Sequence, residues 1–128
     1  MKRTFLLLAG LAAAPAFAVG LGPLKIDGMI DGPREGFALD LLNPYPVATD
    51  FVVKAIGAED EEAQARVTVL PAETELGPER RRRVLVVVDE LAVGETYHFR
   101  VCAQRREPPE GIAINARVCS KLSAHRVA

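Results

Sequence analysis

The side chains best equipped for chemistry crowd toward the C-terminal end of this chain. His98, Arg100, Cys102, Gln104 and Arg106 alternate along one segment. Asn115, Arg117, Cys119, Lys121 and Ser123 alternate along the next, after a Pro108-Pro109-Glu110-Gly111 turn. A spacing of two is the period of a strand, so each set shares one face. Three chemistries are open to such a face. Two sulfurs could bond to each other, several cations could hold an anion, and a serine beside a histidine could act as a nucleophile.

The opposite parity decides how the two segments meet. Tyr97, Phe99, Val101 and Ala103 form one apolar face, and Ile112, Ile114, Ala116, Val118 and Leu122 form the other. Superposing these faces pairs Phe99 with Leu122, Val101 with Ser120 and Ala103 with Val118. Cys102 then stands opposite Cys119 on the outer side. Directly opposed residues bring Cα atoms to roughly 4.5–5.5 Å, within reach of a disulfide. A disulfide is therefore expected. Two reduced thiols are the alternative, disfavoured because outward-facing free thiols are reactive after export. Closing the loop would stabilise the fold by about 3 kcal/mol on the chain-entropy account.

The same register sets Arg100 opposite Lys121, a like-charge contact that costs stability. A carboxylate or phosphate shared by Arg100, Lys121 and Arg117 would relieve it. Splaying of the long side chains into water would also do so. The Arg80–Arg83 run could meet an anionic surface such as lipid headgroups. The preferred reading is a turn-to-strand entry whose charges keep neighbouring strands from aggregating, because four cations on an alternating strand point in two directions.

Other chemistries find little support. His98 and Cys102 lie about 13 Å apart along a strand, and no third or fourth ligand has metal spacing. Ser123 lies near His98, with no evident carboxylate to orient the imidazole. No pair of acids is placed across a cleft, and no glycine-rich phosphate loop opens a helix. The expectation is a protein without catalytic residues, metal or cofactor. The formal net charge of −1 offers no global basic excess for nucleic acid.

The segments that must position these residues are short, alternating and punctuated by Gly, Pro and Asn. Residues 1–18 read as a secretory leader. Lys2 and Arg3 precede an apolar stretch from Phe5 to Ala14, and Ala16-Phe17-Ala18 supplies the cleavage pattern. The stretch is too short to span a bilayer, so no stable membrane insertion is expected once it is removed. Residues 19–128 then form one domain in the periplasm or outside the cell, where a disulfide persists.

Leu24, Ile26 and Ile30 mark a first strand, Phe37, Leu39 and Leu41 a second, and Phe51, Val53 and Ala55 a third. An acidic loop, Glu59–Glu62, reads as a solvated connection. Val67 and Val69 mark a fourth strand. Val84–Val88 marks a fifth that is apolar on both parities, so both faces are covered or one meets a partner. The final hairpin completes about seven strands. Turns every 8–12 residues in such a length are the pattern of an immunoglobulin-like β-sandwich. Phe37, Leu39, Phe51, Val53, Val67, Val69, Val86, Phe99 and Val101 would lie between its sheets. The chain lacks tryptophan and its cysteines sit on neighbouring strands, unlike an antibody domain. Asp60–Arg66 is the one helical candidate, too short to stand alone.

On these residues the chain resembles the amino-terminal domain of PapD-like periplasmic pilus-assembly chaperones. Val67-Thr68-Val69-Leu70-Pro71, then Leu76-Gly77-Pro78 and Arg83-Val84-Leu85-Val86, is similar to the family pattern of strand, proline, turn and basic residue leading into the next strand. Asn43-Pro44 is similar too, and in one branch of the family a disulfide joins the last two strands of the domain. The resemblance implies binding of an unfinished pilus subunit by loan of the last strand, here Ile112–Leu122, with Ile112, Ile114, Ala116 and Val118 inserted. Alternation alone is equally compatible with those residues completing their own core.

In the family a cationic pair holds the partner's terminal carboxylate in a cleft between two domains. Lys121 is similar to one member, and the first strand offers Lys25 where the family has arginine. A second domain is not expected here. The reading is an exported, non-catalytic envelope module, chaperone-like or an adaptor, that engages a protein partner such as a pilin-like subunit through a strand edge. It is expected as a monomer or weak homo-oligomer. The alternative is a structural subunit that donates its early strand to a neighbouring copy.

Overall fold

The computed structural model describes residues 19–107 and 116–128. The leader, the Pro-Pro-Glu-Gly turn, Ile112 and Ile114 lie outside the described residues. Nine strands are described: β1 Gly20–Gly22, β2 Lys25–Ile30, β3 Glu35–Leu42, β4 Thr49–Gly57, β5 Val67–Leu70, β6 Glu73–Leu76, β7 Arg81–Val88, β8 Thr96–Arg105 and β9 Arg117–Arg126. They form a four-stranded sheet, β1-β3-β7-β5, and a five-stranded sheet, β2-β9-β8-β4-β6. The immunoglobulin-like sandwich expected from the sequence is therefore present.

Two strands exceed the seven read from the sequence. β6, Glu-Thr-Glu-Leu, has only two inward residues, Thr74 and Leu76, and carries acids outward. β1, Gly-Leu-Gly, offers one buried side chain, Leu21. Neither is long enough to show a period. The first strand also divides between the sheets. β1 pairs antiparallel with β3, whereas β2 pairs parallel with β9. Pro23 lies between them and has no N–H for a ladder, so the chain can change sheets there. Asp60–Arg66 forms no helix. A bridge between Ile56 and Ala63 holds that stretch against β4 instead.

The core follows from alternation. Phe37, Leu39, Phe51, Val53, Val86, Phe99 and Val101 are all 5% exposed or less, and Val67 and Val69 pack against them half-buried. Each such large apolar side chain contributes roughly 1.5–3 kcal/mol by leaving water. β7 answers the question posed by its double-parity pattern. Val84, Val86 and Val88 are buried, while Leu85 remains 44% exposed.

Polar pegs fix the loops at both ends. Asn43 is fully buried, and its side-chain amide donates to the carbonyls of Val47, Leu76 and Gly77 at 2.9–3.0 Å. Its side-chain oxygen accepts from Tyr45 N–H. At the other end Arg66 donates two hydrogen bonds to Glu95, at 2.6 and 2.9 Å, and one to the Glu90 carbonyl. Its guanidinium also lies 4.4 Å from the centre of the Tyr97 ring. Gly28 serves a close approach, because a Cβ there would stand 2.0 Å from Glu35 Oε1. Glu35 itself is 6% exposed with Oε2 unpartnered, and burial pushes its pKa up.

Two outcomes are expected. Replacing both Cys102 and Cys119 with alanine lowers unfolding stability by about 2–5 kcal/mol in urea denaturation. Glu95 is held at about 2 by its hydrogen bonds from Arg66 and Ala92 N–H. Its contribution is full above the ordinary carboxylate pKa of about 4.5 and is lost as pH falls toward 2. Glu95→Gln therefore flattens the stability curve across that acid window and lowers stability at neutral pH.

Candidate functional site

The β8–β9 register is the one read from the sequence. Phe99 pairs with Leu122, Val101 with Ser120, Ala103 with Val118 and Cys102 with Cys119. The disulfide is formed, with the two Cα atoms 4.0 Å apart. The side chains on the solvent side of the five-stranded sheet stand in rows across three strands. One row is Lys25, Lys121 and Arg100, from β2, β9 and β8. The next is Asp27, Ser123 and His98. Adjacent strands lie about 4.8 Å apart, so each row is a compact group.

The cationic row lines an open cleft of about 440 Å³, with Asp27, Ala58, Glu59, His98 and Ser123. Its two ends differ electrostatically. Arg100 is tied down, donating to the carbonyls of Gly57 and Asp60 at 3.0 and 2.9 Å and lying 3.7 Å from Glu61. Arg117 donates twice to the Glu61 carboxylate, at 2.8 and 2.9 Å. The acidic loop is thus more than a solvated connection. Its Glu61 is an internal anion for two of the three cations grouped by the sequence reading. Hydrogen bonding from Arg117 keeps the Glu61 carboxyl below its usual range.

Lys121 and Lys25 are less committed. Lys121 is exposed and has no hydrogen bond or ion pair from its ammonium among the described residues. Lys25 has only Asp27, at 3.9 Å on an open surface. Two ammonium groups on directly paired residues can converge on one carboxylate or phosphate.

The second row tests the nucleophile reading. A carboxylate does stand beside Ser123, but it is Asp27, accepting a 2.7 Å hydrogen bond from the serine hydroxyl itself. In a hydrolytic triad the carboxylate orients the imidazole and the imidazole receives the serine proton. Here the order differs, and the hydroxyl is engaged by the acid. Among the described residues no group of three or more His, Cys, Asp or Glu could hold a metal ion.

The remaining residues singled out from the sequence divide by position. Val118 packs half-buried against the core, opposite Ala103. Ser120 is fully buried and donates to the Pro23 carbonyl at 2.6 Å. β2 covers β9 only from Lys121 onward, Lys121 N–H bonding to the Leu24 carbonyl. Upstream of Lys121, among the described residues, no strand pairs with the edge of β9 that faces away from β8. Sequence reasoning missed Asp27 and Glu61 as members of this surface. Their signal, outward acids at strand and loop positions, is shared by many solvated residues.

Neither a family model nor a curated protein matches the sequence. Solved structures do. The complex of Salmonella enterica SafA pilin with the SafB chaperone is matched at a TM-score of 0.70 and 21% identity, covering 91% of this chain and 58% of that one. The fold is that of a PapD-like domain. The E. coli chaperone DraB gives 0.67 at 17% identity, covering 86% of this chain and 55% of DraB. The ASH/PapD-like domain 7 of human CEP192 gives 0.67 at 13% identity, covering 99% and 97%. The chain thus spans less than two thirds of the length of those chaperone chains and nearly all of the human domain.

Protonation of Glu61 should release the Arg117 clamp. The interaction is complete above the ordinary carboxylate range and is lost as pH falls through the lowered Glu61 pKa. Amide exchange of residues 58–62, corrected for intrinsic pH effects, should accelerate on acidification. Glu61→Gln should show the fast rate already at neutral pH, and a pH-independent protection factor would refute the clamp.

Proposed function

We propose that this protein is an exported, non-catalytic binding module of the bacterial envelope, chaperone-like or an adaptor, that engages a protein partner through the open edge of β9. The observation that carries this reading is the pairing of Lys25 with Lys121 where β2 stops covering β9. An extended partner segment could add along the uncovered edge by main-chain hydrogen bonds, continuing the line of β2. Its terminal carboxylate would then lie between two ammonium groups. The disulfide and the Glu61 clamp hold this part of β9 on β8, so the edge is preformed and little ordering cost falls on binding.

Similarity in fold to SafB with its pilin, and to the CsuC–CsuE chaperone–adhesin complex of Acinetobacter baumannii, supports a pilin-like subunit as the partner class. Ile112, Ile114 and Val118 are the proposed apolar contacts, with Arg100 and Arg117 framing the cationic side. The disulfide is consistent with a periplasmic or secreted location. The alternative of a subunit donating its early strand has less support, because β2 is already paired within its own sheet.

The test uses a partner captured from envelope extract and a peptide of its last fifteen or so residues. A free C-terminal carboxylate should bind at least about tenfold tighter than the amidated peptide, as expected for charge-assisted hydrogen bonds. Lys25→Ala with Lys121→Ala should erase the difference while thermal unfolding stays unchanged. Equal affinity of the two peptides for the unmodified protein would overturn the carboxylate clamp.

A further inference from the structure

The four-stranded sheet has an outer face with a different composition. β7 sends Val84, Val86 and Val88 inward, leaving Arg81, Arg83, Leu85 and Val87 on the opposite parity. Leu85 pairs with Leu70 of β5 on one side and Ala38 of β3 on the other. Leu70 is 55% exposed and Leu85 44%. Val87 stands between Thr68 and Gly36, both exposed. An apolar strip therefore crosses three strands without a charged side chain in either row.

Cations begin one row along. Arg83 faces Asp40 across a loose 3.9 Å contact, with both side chains well exposed. Arg81 lies beyond it opposite Leu42, and Arg80 precedes the strand. Arg80 and Arg81 have no salt-bridge partner among the described residues, although Glu79 is a sequence neighbour. The acids of the Glu59–Glu62 loop and of β6 lie with the other sheet, while Asp40 stands beside Arg83 and Asp89 and Glu90 follow β7 at the end away from the arginines.

We propose that this face docks peripherally on an anionic phospholipid bilayer. Leu70, Leu85 and Val87 would enter the interfacial layer while Arg80, Arg81 and Arg83 meet lipid phosphates. The charge complementarity is local, since the whole chain is slightly acidic. A soluble polyanion would use the arginines but gain nothing from the leucines. The surface lies on the opposite sheet from Lys25 and Lys121, so the proposal does not rest on the strand-edge reading.

The experiment is co-sedimentation of residues 19–128 with vesicles of phosphatidylglycerol and phosphatidylcholine, against phosphatidylcholine alone, at low ionic strength. Binding should require the anionic lipid and weaken with salt. Arg81→Gln and Arg83→Gln should each reduce partitioning about fivefold, and Arg81→Lys with Arg83→Lys should largely retain it. Leu85→Ser should reduce it about tenfold. Lys25→Ala with Lys121→Ala should leave it unchanged, and circular dichroism should show each variant folded. Absence of an anionic-lipid preference overturns the proposal. So does binding that heparin displaces and Leu85→Ser leaves intact, which marks a polyanion site. A protein captured through Leu85, with no vesicle binding, overturns it as well.

Discussion

The registration of β9 on β8 is the constraint from which the rest of the structure follows. Side chains in a strand alternate, so a slip of one residue would exchange the two faces. In the observed register Phe99, Val101 and Leu122 are buried, while Arg100, Lys121 and the two cysteines take the other side. Any one-residue slip would place Arg100 or Lys121 into the apolar interior, at a cost far above that of an ordinary mismatch. The disulfide adds a covalent restraint to the same register. Core packing, the cationic row and the open edge of β9 are therefore not independent features.

Electrostatic order on the surface follows from this scaffold. Strand pairing aligns cations from three strands, and such an alignment is unfavourable unless something answers it. The chain answers it in part through Glu61, which neutralises Arg100 and Arg117 and keeps the loop after β4 against the sheet. Lys25 and Lys121 remain open to solvent at the other end of the row. Charge across this one cleft therefore runs from satisfied at Arg100 to available at Lys25.

Much of this was legible because the β3, β4, β8 and β9 segments are long enough to show a period of two. The Cys102–Cys119 and Arg100–Lys121 pairings both follow from the register that superposes the apolar faces, and both are found. Short elements were not legible. A three-residue strand containing one leucine, or Glu-Thr-Glu-Leu, has no period to measure. The division of the first strand between sheets was hidden for another reason, since its partners, β3 and β9, lie far along the chain. Glu61 looked like one acid among four, and only the folded loop distinguishes it.

The sequence by itself determined what faces in, what faces out and which cysteines meet, because a period of two is local and the hydrophobic effect sorts its two phases. It also supplied the PapD-like resemblance that the structural likeness supports at the level of fold. Tertiary structure alone decided which outward residues become neighbours. Lys25 stands beside Lys121, and Asp27 beside Ser123, through a parallel pairing across most of the chain's length. Contacts at such separation depend on how the sheets close around a shared core, and no local pattern encodes that closure.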